Sequence, residues 1–302
     1  MNILKTIEAL TPRQFRLLLA AITIFILFID YGLGFTYGMN TIILIVCAMA
    51  LVLRRGKQLF ADWIPALLVF YFYEFSRAHA FDIATALHRP LIIDGLFKLE
   101  QSIFGFLPNI KLQEVIHPVI TNPTLFDYVM FVFYGGFFWM WAVMGYYFWL
   151  KGRGLYKKYM YGLIGFSLVA VLVFILFPTA PPWYASDLGL IPHVDRIIWE
   201  FQYFGTVAFD NVQNIGRNDF AALPSLHTGW TFYMALFFTK VNKWKGAWMF
   251  IVPAGVAFAT WYGAEHYVVD SIVGALFAIT AFAIVNDFFD DEFKLRKRSI
   301  LE

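Results

Sequence analysis

The chain alternates long apolar runs with short polar breaks. Eight apolar segments can be drawn, at roughly 15–33, 36–53, 62–79, 124–150, 159–177, 224–239, 246–263 and 266–288. A helix needs about 20 apolar residues to cross a bilayer core, and most of these runs reach or approach that length. The pattern predicts an all-α fold, a polytopic membrane helix bundle. Two long connections, 79–124 and 177–224, interrupt it. Three divisions follow: an N-terminal membrane helical hairpin (1–60), a membrane domain carrying the chemistry (61–290) and a basic tail (291–302).

The first long connection has a pattern of its own. Within 90–108, Asp94, Lys98 and Gln101 share one helical stripe, and Ile92, Leu96, Leu99 and Ile103 share the opposite one. This predicts either an interfacial helix lying on the membrane or a helix packed against the bundle.

Composition supports a membrane protein. Of 302 residues, 60% are apolar, 20% aromatic and only 15% charged, against about 25% charged in soluble domains. Lys5, Arg13 and Arg16 precede the apolar stretch 17–29 without a small-residue cleavage site after it, which reads as an uncleaved first span. The one cysteine, Cys47, excludes an intrachain disulfide and reads as a small buried hydrophobe.

Charge orients the bundle. The N-terminal basics, 54–57, 151–158, 240–245 and 294–298 hold 17 of the 23 Lys and Arg on alternate breaks. The other side holds Arg77, Arg89, Lys98, Lys111, Arg196 and Arg217. Cytoplasmic flanks collect Lys and Arg, so both termini are expected in the cytoplasm and both long loops outside. The bilayer and its lipids are the expected partners. Nothing suggests nucleic acid, and the sequence leaves the oligomeric state open.

Polar residues converge on the outer end. His227 opens the sixth run, and His266 and Asp270 open the eighth. Arg77 ends the third and Arg217 precedes the sixth. Ionisable groups in membrane segments are functional candidates by default. His266 and Asp270, four apart, share a helix face. The carboxylate can take one imidazole N–H and leave the other nitrogen as nucleophile or base. His227 suits general acid and base work, and arginines suit an oxyanion such as phosphate. Taken singly, each signal also has a structural reading. Pro224 and Ser225 start helices well. The three prolines of 177–183 make a corner, or else place Trp183 and Tyr184 against a lipid head group. A metal site would want a third strong ligand, so none is expected.

The combination is more specific than its parts. "PSLH" (224–227) followed by "HYVVD" (266–270) resembles the second and third signature motifs of the type 2 phosphatidic acid phosphatase superfamily. Leu226 stands where the second motif usually has glycine, and Ala259-Thr260 stand where the third usually has Ser-Arg. The usual first motif is not met, since Asp82 precedes Arg89-Pro90 where a lysine belongs. "YEFSR" (73–77), residues 89–105, "FPTAPPW" and "FAALPSLHTGW" are similar to the branch containing inositol phosphorylceramide synthase.

The resemblance covers about 70–288. It implies a six-helix phosphatase-like core, an extracytoplasmic or lumenal site and no cofactor. His266 would be the nucleophile, Asp270 its orienter and His227 the acid and base. Ser225 and the arginines Arg77, Arg217 and Arg89 would hold the phosphate, with Arg77 and Arg217 ahead of Arg89. The implied function is head-group phosphotransfer between lipids, with an inositol-phosphate-like group. The alternatives are a phosphatase acting on phosphatidic acid or polyprenyl phosphates, and a non-catalytic lipid-binding membrane protein.

Overall fold

A computed structural model describes the backbone of residues 3–29, 38–53, 55–117, 122–200 and 218–301. Two compact units divide the chain, one N-terminal up to Ser76 and one holding most of the remainder from Arg77 onward.

The N-terminal unit contains α1 (Ile3–Ala9), α2 (Pro12–Leu27), α3 (Gly38–Val52) and most of α4 (Gly56–Ala78). A capping box starts α2: Thr11 Oγ1 accepts from Gln14 N–H, and Gln14 Oε1 accepts from Thr11 N–H. This pairing satisfies donors that a helix start leaves open, and Pro12 needs none. Helix α2 packs on α3, and Phe15 meets Phe60 edge-on at 5.7 Å. Cys47 is buried, as its apolar setting requires.

The larger unit begins with the last residues of α4 and continues through α5 (Ala80–Ala86), α6 (Asp94–Phe104), α7 (Pro108–Ile116), α8 (Leu125–Lys151) and α9 (Arg153–Leu176). After these come α10 (Pro182–Asp187), α11 (Ile197–Glu200), α12 (Leu226–Asn242), a 3-10 segment (Lys243–Phe250), α13 (Ile251–Tyr262) and α14 (Val268–Leu301). Within the described residues, each apolar run falls largely on helix. Four helices, Gly56–Ala78, Leu125–Lys151, Arg153–Leu176 and Val268–Asp287, are long and apolar enough to cross a membrane. The protein is an all-α, polytopic integral membrane protein.

The seventh run is the least regular. Its α-helical part has only 12 residues, about 18 Å at 1.5 Å per residue. The 3-10 segment before it adds 8 residues at a steeper rise of about 2.0 Å.

Helix α12 is the axis of this unit. It packs against α14, α13, α8 and α9. Leu226, Trp230, Tyr233, Met234, Ala235 and Phe237 are all buried, the signature of a helix enclosed on every side. Two glycines set how closely α12 and α14 cross. A Cβ on Gly274 would collide with the Ser225 carbonyl oxygen, and one on Gly229 would sit 3.1 Å from the Gly274 oxygen. The contact therefore needs bare backbone on both helices.

The two long connections are stitched to each other where they are described. Ala180 N–H donates to Ile92 O at 2.9 Å, and Thr179 N–H donates to Phe220 O at 2.9 Å. Residues 92, 179 and 221 thus lie side by side as isolated parallel bridges. The prolines of 177–183 do build a corner: Pro181 precedes α10 and Pro182 opens it.

Helix α6 corrects the stripe expected for it. Leu96 is buried together with Phe97 and Glu100, whereas Leu99 and Ile103 are 43% and 58% exposed. Leu96 and Phe97 join a cluster with Leu107, Ala185, Ile191, Val194, Ala264 and Tyr267. The apolar residues fall on two flanks because the neighbouring loops cover only one of them. One flank packs against the bundle and the other is open.

Candidate active site

The sixth and eighth runs are joined where they begin. Ser225 is the N-cap of α12, and its hydroxyl accepts from Thr228 N–H at 3.4 Å. Its own N–H donates to Asp270 O at 3.0 Å. Beside that link, Thr228 Oγ1 donates to Ser271 Oγ at 3.0 Å. The tight crossing at Gly274 therefore fixes the first turn of α12 against the first turn of α14. His227 stands on one and Asp270 on the other.

His266 is held just ahead of α14. Its N–H and that of Glu265 both donate to Thr260 O, at 3.2 and 2.9 Å. Asn109, on α7, donates from Nδ2 to His266 O at 2.9 Å and to Trp261 O at 2.8 Å. Its neighbour one turn on, Gln113, donates to Tyr262 O at 2.8 Å and to Asp195 O at 2.7 Å. A helix of the first long connection thus pins the backbone carrying the histidine.

These anchors line up three side chains. His227 Nδ1 lies 3.1 Å from His266 Nε2. His266 Nδ1 lies 3.4 Å from Asp270 Oδ2, at the edge of hydrogen-bonding reach. His266 and Asp270 are buried, so their contact is little screened by water. A carboxylate beside Nδ1 favours the tautomer with the proton there, leaving Nε2 as a lone-pair acceptor for His227 Nδ1–H. Asp270 Oδ2 also accepts from Tyr267 N–H at 2.8 Å, so it caps α14 as well as facing the imidazole.

Aromatic rings from α8 shape the slot around His227. Its ring stacks on Tyr134 at 4.9 Å and 22°, with Phe137 at 4.3 Å on a tilt. Such packing restricts the ring to few orientations. His227 Nε2 and Asp270 Oδ1 are buried without a hydrogen-bond partner. Unmet polar atoms are costly in a finished core, and their clustering beside a histidine pair suits a centre built to receive a polar reactant.

The other expected residues divide. Ser225 is fully buried and occupied as a cap. Arg77 is half-buried, and its charge acts on His227. Its carbonyl accepts from Asn218 Nδ2 at 3.1 Å. Arg89 is exposed and is not joined to the histidines. Arg217 lies outside the described residues. Thr260, at the position expected from the motif resemblance to hold arginine, is fully buried and donates to Ala257 O at 2.8 Å.

Several groups at the site were missed in the sequence. Arg196 forms a two-pronged ion pair with Glu265, at 2.6 and 2.8 Å, and lies 4.2 Å from the Trp183 ring centre. Glu265 immediately precedes His266, which is a local signal. Its partner lies 69 residues away, which is not. Asp219 is a half-buried carboxyl near Arg196; burial pushes its pKa up, and the arginine works against that. Glu100 reaches α14 from α6: its Oε1 accepts from Val269 N–H at 3.1 Å. Among the described residues, no group of three His, Cys, Asp or Glu side chains could hold a metal ion.

A profile of the PAP2 superfamily matches residues 96–284, a stretch that contains both histidines and Asp270. The chain is 28% identical over 200 residues to a phosphoinositol dihydroceramide synthase of Bacteroides thetaiotaomicron, covering 61% of this chain and 64% of that protein. It is 32% identical over 130 residues to an inositol phosphorylceramide synthase of Candida albicans, covering 38% of this chain and 26% of that one. Against the catalytic subunit of that synthase from Schizosaccharomyces pombe it is 30% identical over 129 residues, covering 38% and 29%. The chain thus spans less than two thirds of the length of each of these relatives. No solved structure matches it. Profile, relatives and motif residues agree that this chain belongs to the PAP2 superfamily, in its inositol phosphorylceramide synthase-like branch.

Proposed function

We propose that the protein is a lipid phosphotransferase, moving an inositol-phosphate-like head group from one lipid to the hydroxyl of another through a phosphohistidine on His266. The observation that carries this reading is the line His227–His266–Asp270, with contacts of 3.1 and 3.4 Å. The relatives, a phosphoinositol dihydroceramide synthase and inositol phosphorylceramide synthases, supply the head group and the class of acceptor.

In the first half-reaction, His266 Nε2 attacks phosphorus and an N–P bond forms. The P–O bond to the donor's diacylglycerol breaks, and the leaving oxygen takes a proton from His227, which enters this step as the imidazolium and leaves it as the neutral imidazole. Asp270 holds the Nδ1 proton and stabilises the positive ring. In the second half, the acceptor hydroxyl gives its proton to His227 and attacks phosphorus. The N–P bond breaks and His266 is restored. Arg77 and Arg217 offset charge on the non-bridging oxygens, with Arg89 a lesser contributor; the scheme uses no metal. A nucleophile and phosphorus meet at about 3–3.5 Å before bonding. A phosphate between the two nitrogens therefore cannot coexist with their 3.1 Å contact, so substrate binding must part the rings. The charge asymmetry supports cytoplasmic termini and a site on the extracytoplasmic or lumenal face.

The test supplies head-group-labelled phosphatidylinositol to the purified protein, with and without a ceramide acceptor. Label passing into a new lipid only when acceptor is present supports transfer. Release of water-soluble inositol phosphate at a rate indifferent to acceptor identifies a hydrolase. Equal lipid binding by wild type and His266→Ala, with no turnover by either, identifies a non-catalytic lipid binder.

A further inference from the structure

Behind the catalytic line lies a carboxyl that the scheme above does not use. Glu100 is fully buried although it sits on an outer-loop helix. It reaches the helix that carries Asp270, where Oε1 accepts from Val269 N–H at 3.1 Å. It makes no ion pair among the described residues. Oε2 is buried with no hydrogen-bond partner, as are the Tyr267 hydroxyl and Asp270 Oδ1 nearby. Three polar side chains thus meet beside one turn of backbone, each with a free position.

Among the described residues, no cation is paired with this carboxyl. On its own helix, Asp94 and Lys98 pair with each other on the exposed stripe. The apolar cluster around Leu96 and Phe97 is built from Ala185, Ile191, Val194, Ala264 and Tyr267. The titratable groups facing Glu100 from α14 and the loop before it are Asp270 and the Tyr267 phenol. A buried carboxyl beside another carboxylate avoids ionising. Burial raises the Glu100 pKa to about 7; hydrogen bonds from Val269 and Val268 N–H oppose the shift, and Asp270 adds to it.

We propose that Glu100 is a positioning residue for the His266–Asp270 pair. Its carboxyl fastens the first turn of α14 through Val269 and, while neutral, leaves Asp270 as the only negative charge behind the imidazole. Ionising it would put a second negative charge beside Asp270 and loosen the turn that aims it. The role also joins the reacting histidine to α6, whose opposite flank exposes Leu99 and Ile103. This inference rests on the phosphohistidine reading.

The experiment compares Glu100→Gln and Glu100→Ala with wild type and His266→Ala, using head-group-labelled phosphatidylinositol and ceramide in mixed micelles. Gln keeps an acceptor for Val269 N–H but cannot ionise. The wild-type kcat should fall as pH rises through about 7, and Glu100→Gln should lose that fall while keeping its kcat below pH 7. Glu100→Ala should lower kcat about tenfold or more, with KM for the donor near wild type. The stability sign agrees. Glu100's pKa is raised from 4.5 to about 7, so its contribution to folding is full below 4.5 and lost as pH rises through about 7. The melting temperature of Glu100→Gln should therefore change less over that window. A Glu100→Gln pH profile identical to wild type overturns the proposal, as does a wild-type kcat in Glu100→Ala. If Glu100→Ala does not fold, the Gln profile decides alone. Retained turnover in His266→Ala overturns the underlying reading as well, whereas a dead His266→Ala beside wild-type Glu100 variants overturns this inference only.

Discussion

His117 Nδ1 lies 3.3 Å from Asp127 Oδ2, and His266 Nδ1 lies 3.4 Å from Asp270 Oδ2. Both pairs are buried and nearly equal in length. Their surroundings differ. Asp127 has both oxygens in use: Tyr262 O–H donates to Oδ1 at 2.6 Å, and Thr124 donates to Oδ2 from its N–H and its hydroxyl, each at 2.6 Å. It closes a capping box at the start of α8 and ties that helix to the end of α13. Asp270 keeps one oxygen unmet, and its histidine presents Nε2 to a second imidazole. In both pairs the histidine Nδ1 stands just outside hydrogen-bonding geometry; the difference lies in the carboxylate, which is fully engaged at Asp127 and has an oxygen to spare at Asp270. A histidine–carboxylate contact is therefore not itself diagnostic of chemistry. What marks the site is the second histidine and the unsatisfied atoms around it.

The largest effect should separate the two pairs outright. His266→Ala is expected to cut transfer by at least about a thousandfold, as loss of a covalent nucleophile does in other enzymes. His117→Ala should leave transfer within about threefold and lower the melting temperature instead. Assays of both variants in the same micelles compare them directly. Equal losses would erase the distinction.

A smaller effect tests how the site is aimed. Gly274→Ala forces a methyl against the Ser225 carbonyl and must spread α12 from α14. Overpacking of this kind costs about 1–3 kcal/mol, and misplacing His227 by about 1 Å is worth about a hundredfold in kcat. Turnover and melting temperature should fall together. A change in stability alone would mean that the crossing does not set the His227–His266 contact.

Asp127→Asn sharpens the other side of the contrast. It removes an acceptor from Thr124 and should cost about 1–3 kcal/mol, read as a lower melting temperature with kcat nearly kept. Smallest of all, Ser225→Ala removes a helix cap and should cost about 1 kcal/mol. If Ser225 also binds phosphate, KM for the donor rises well beyond what that stability loss explains.

Much of this was legible in the chain, for identifiable reasons. Apolar runs of spanning length report helices directly, because a bilayer demands that backbone bonds close within one segment. The spacing of His266 and Asp270 predicts a shared helix face; the two side chains do approach to 3.4 Å, but His266 lies two residues ahead of α14, in the loop, rather than on the helix. The odd "PSLH" start was readable as a cap with a histidine beside it, and Ser225 does cap α12 while His227 meets His266.

What escaped were links between distant segments. Nothing near Arg196 announces Glu265, and nothing near Glu100 announces Val269, 169 residues away. The expected apolar stripe of α6 divided because tertiary neighbours, not periodicity, decide which flank is covered. Tyr134 and Phe137 are two among many aromatics on α8, and only packing reveals that they hold the His227 ring.

The central claim is the covalent step. Incubating the purified protein with head-group-labelled phosphatidylinositol but no acceptor, then quenching in alkali, should leave label attached to the protein. Peptide mapping should place it on His266, with none on His117, and adding ceramide should discharge it into a new lipid. Absence of label despite measurable transfer, or label that persists in His266→Ala, would contradict the account.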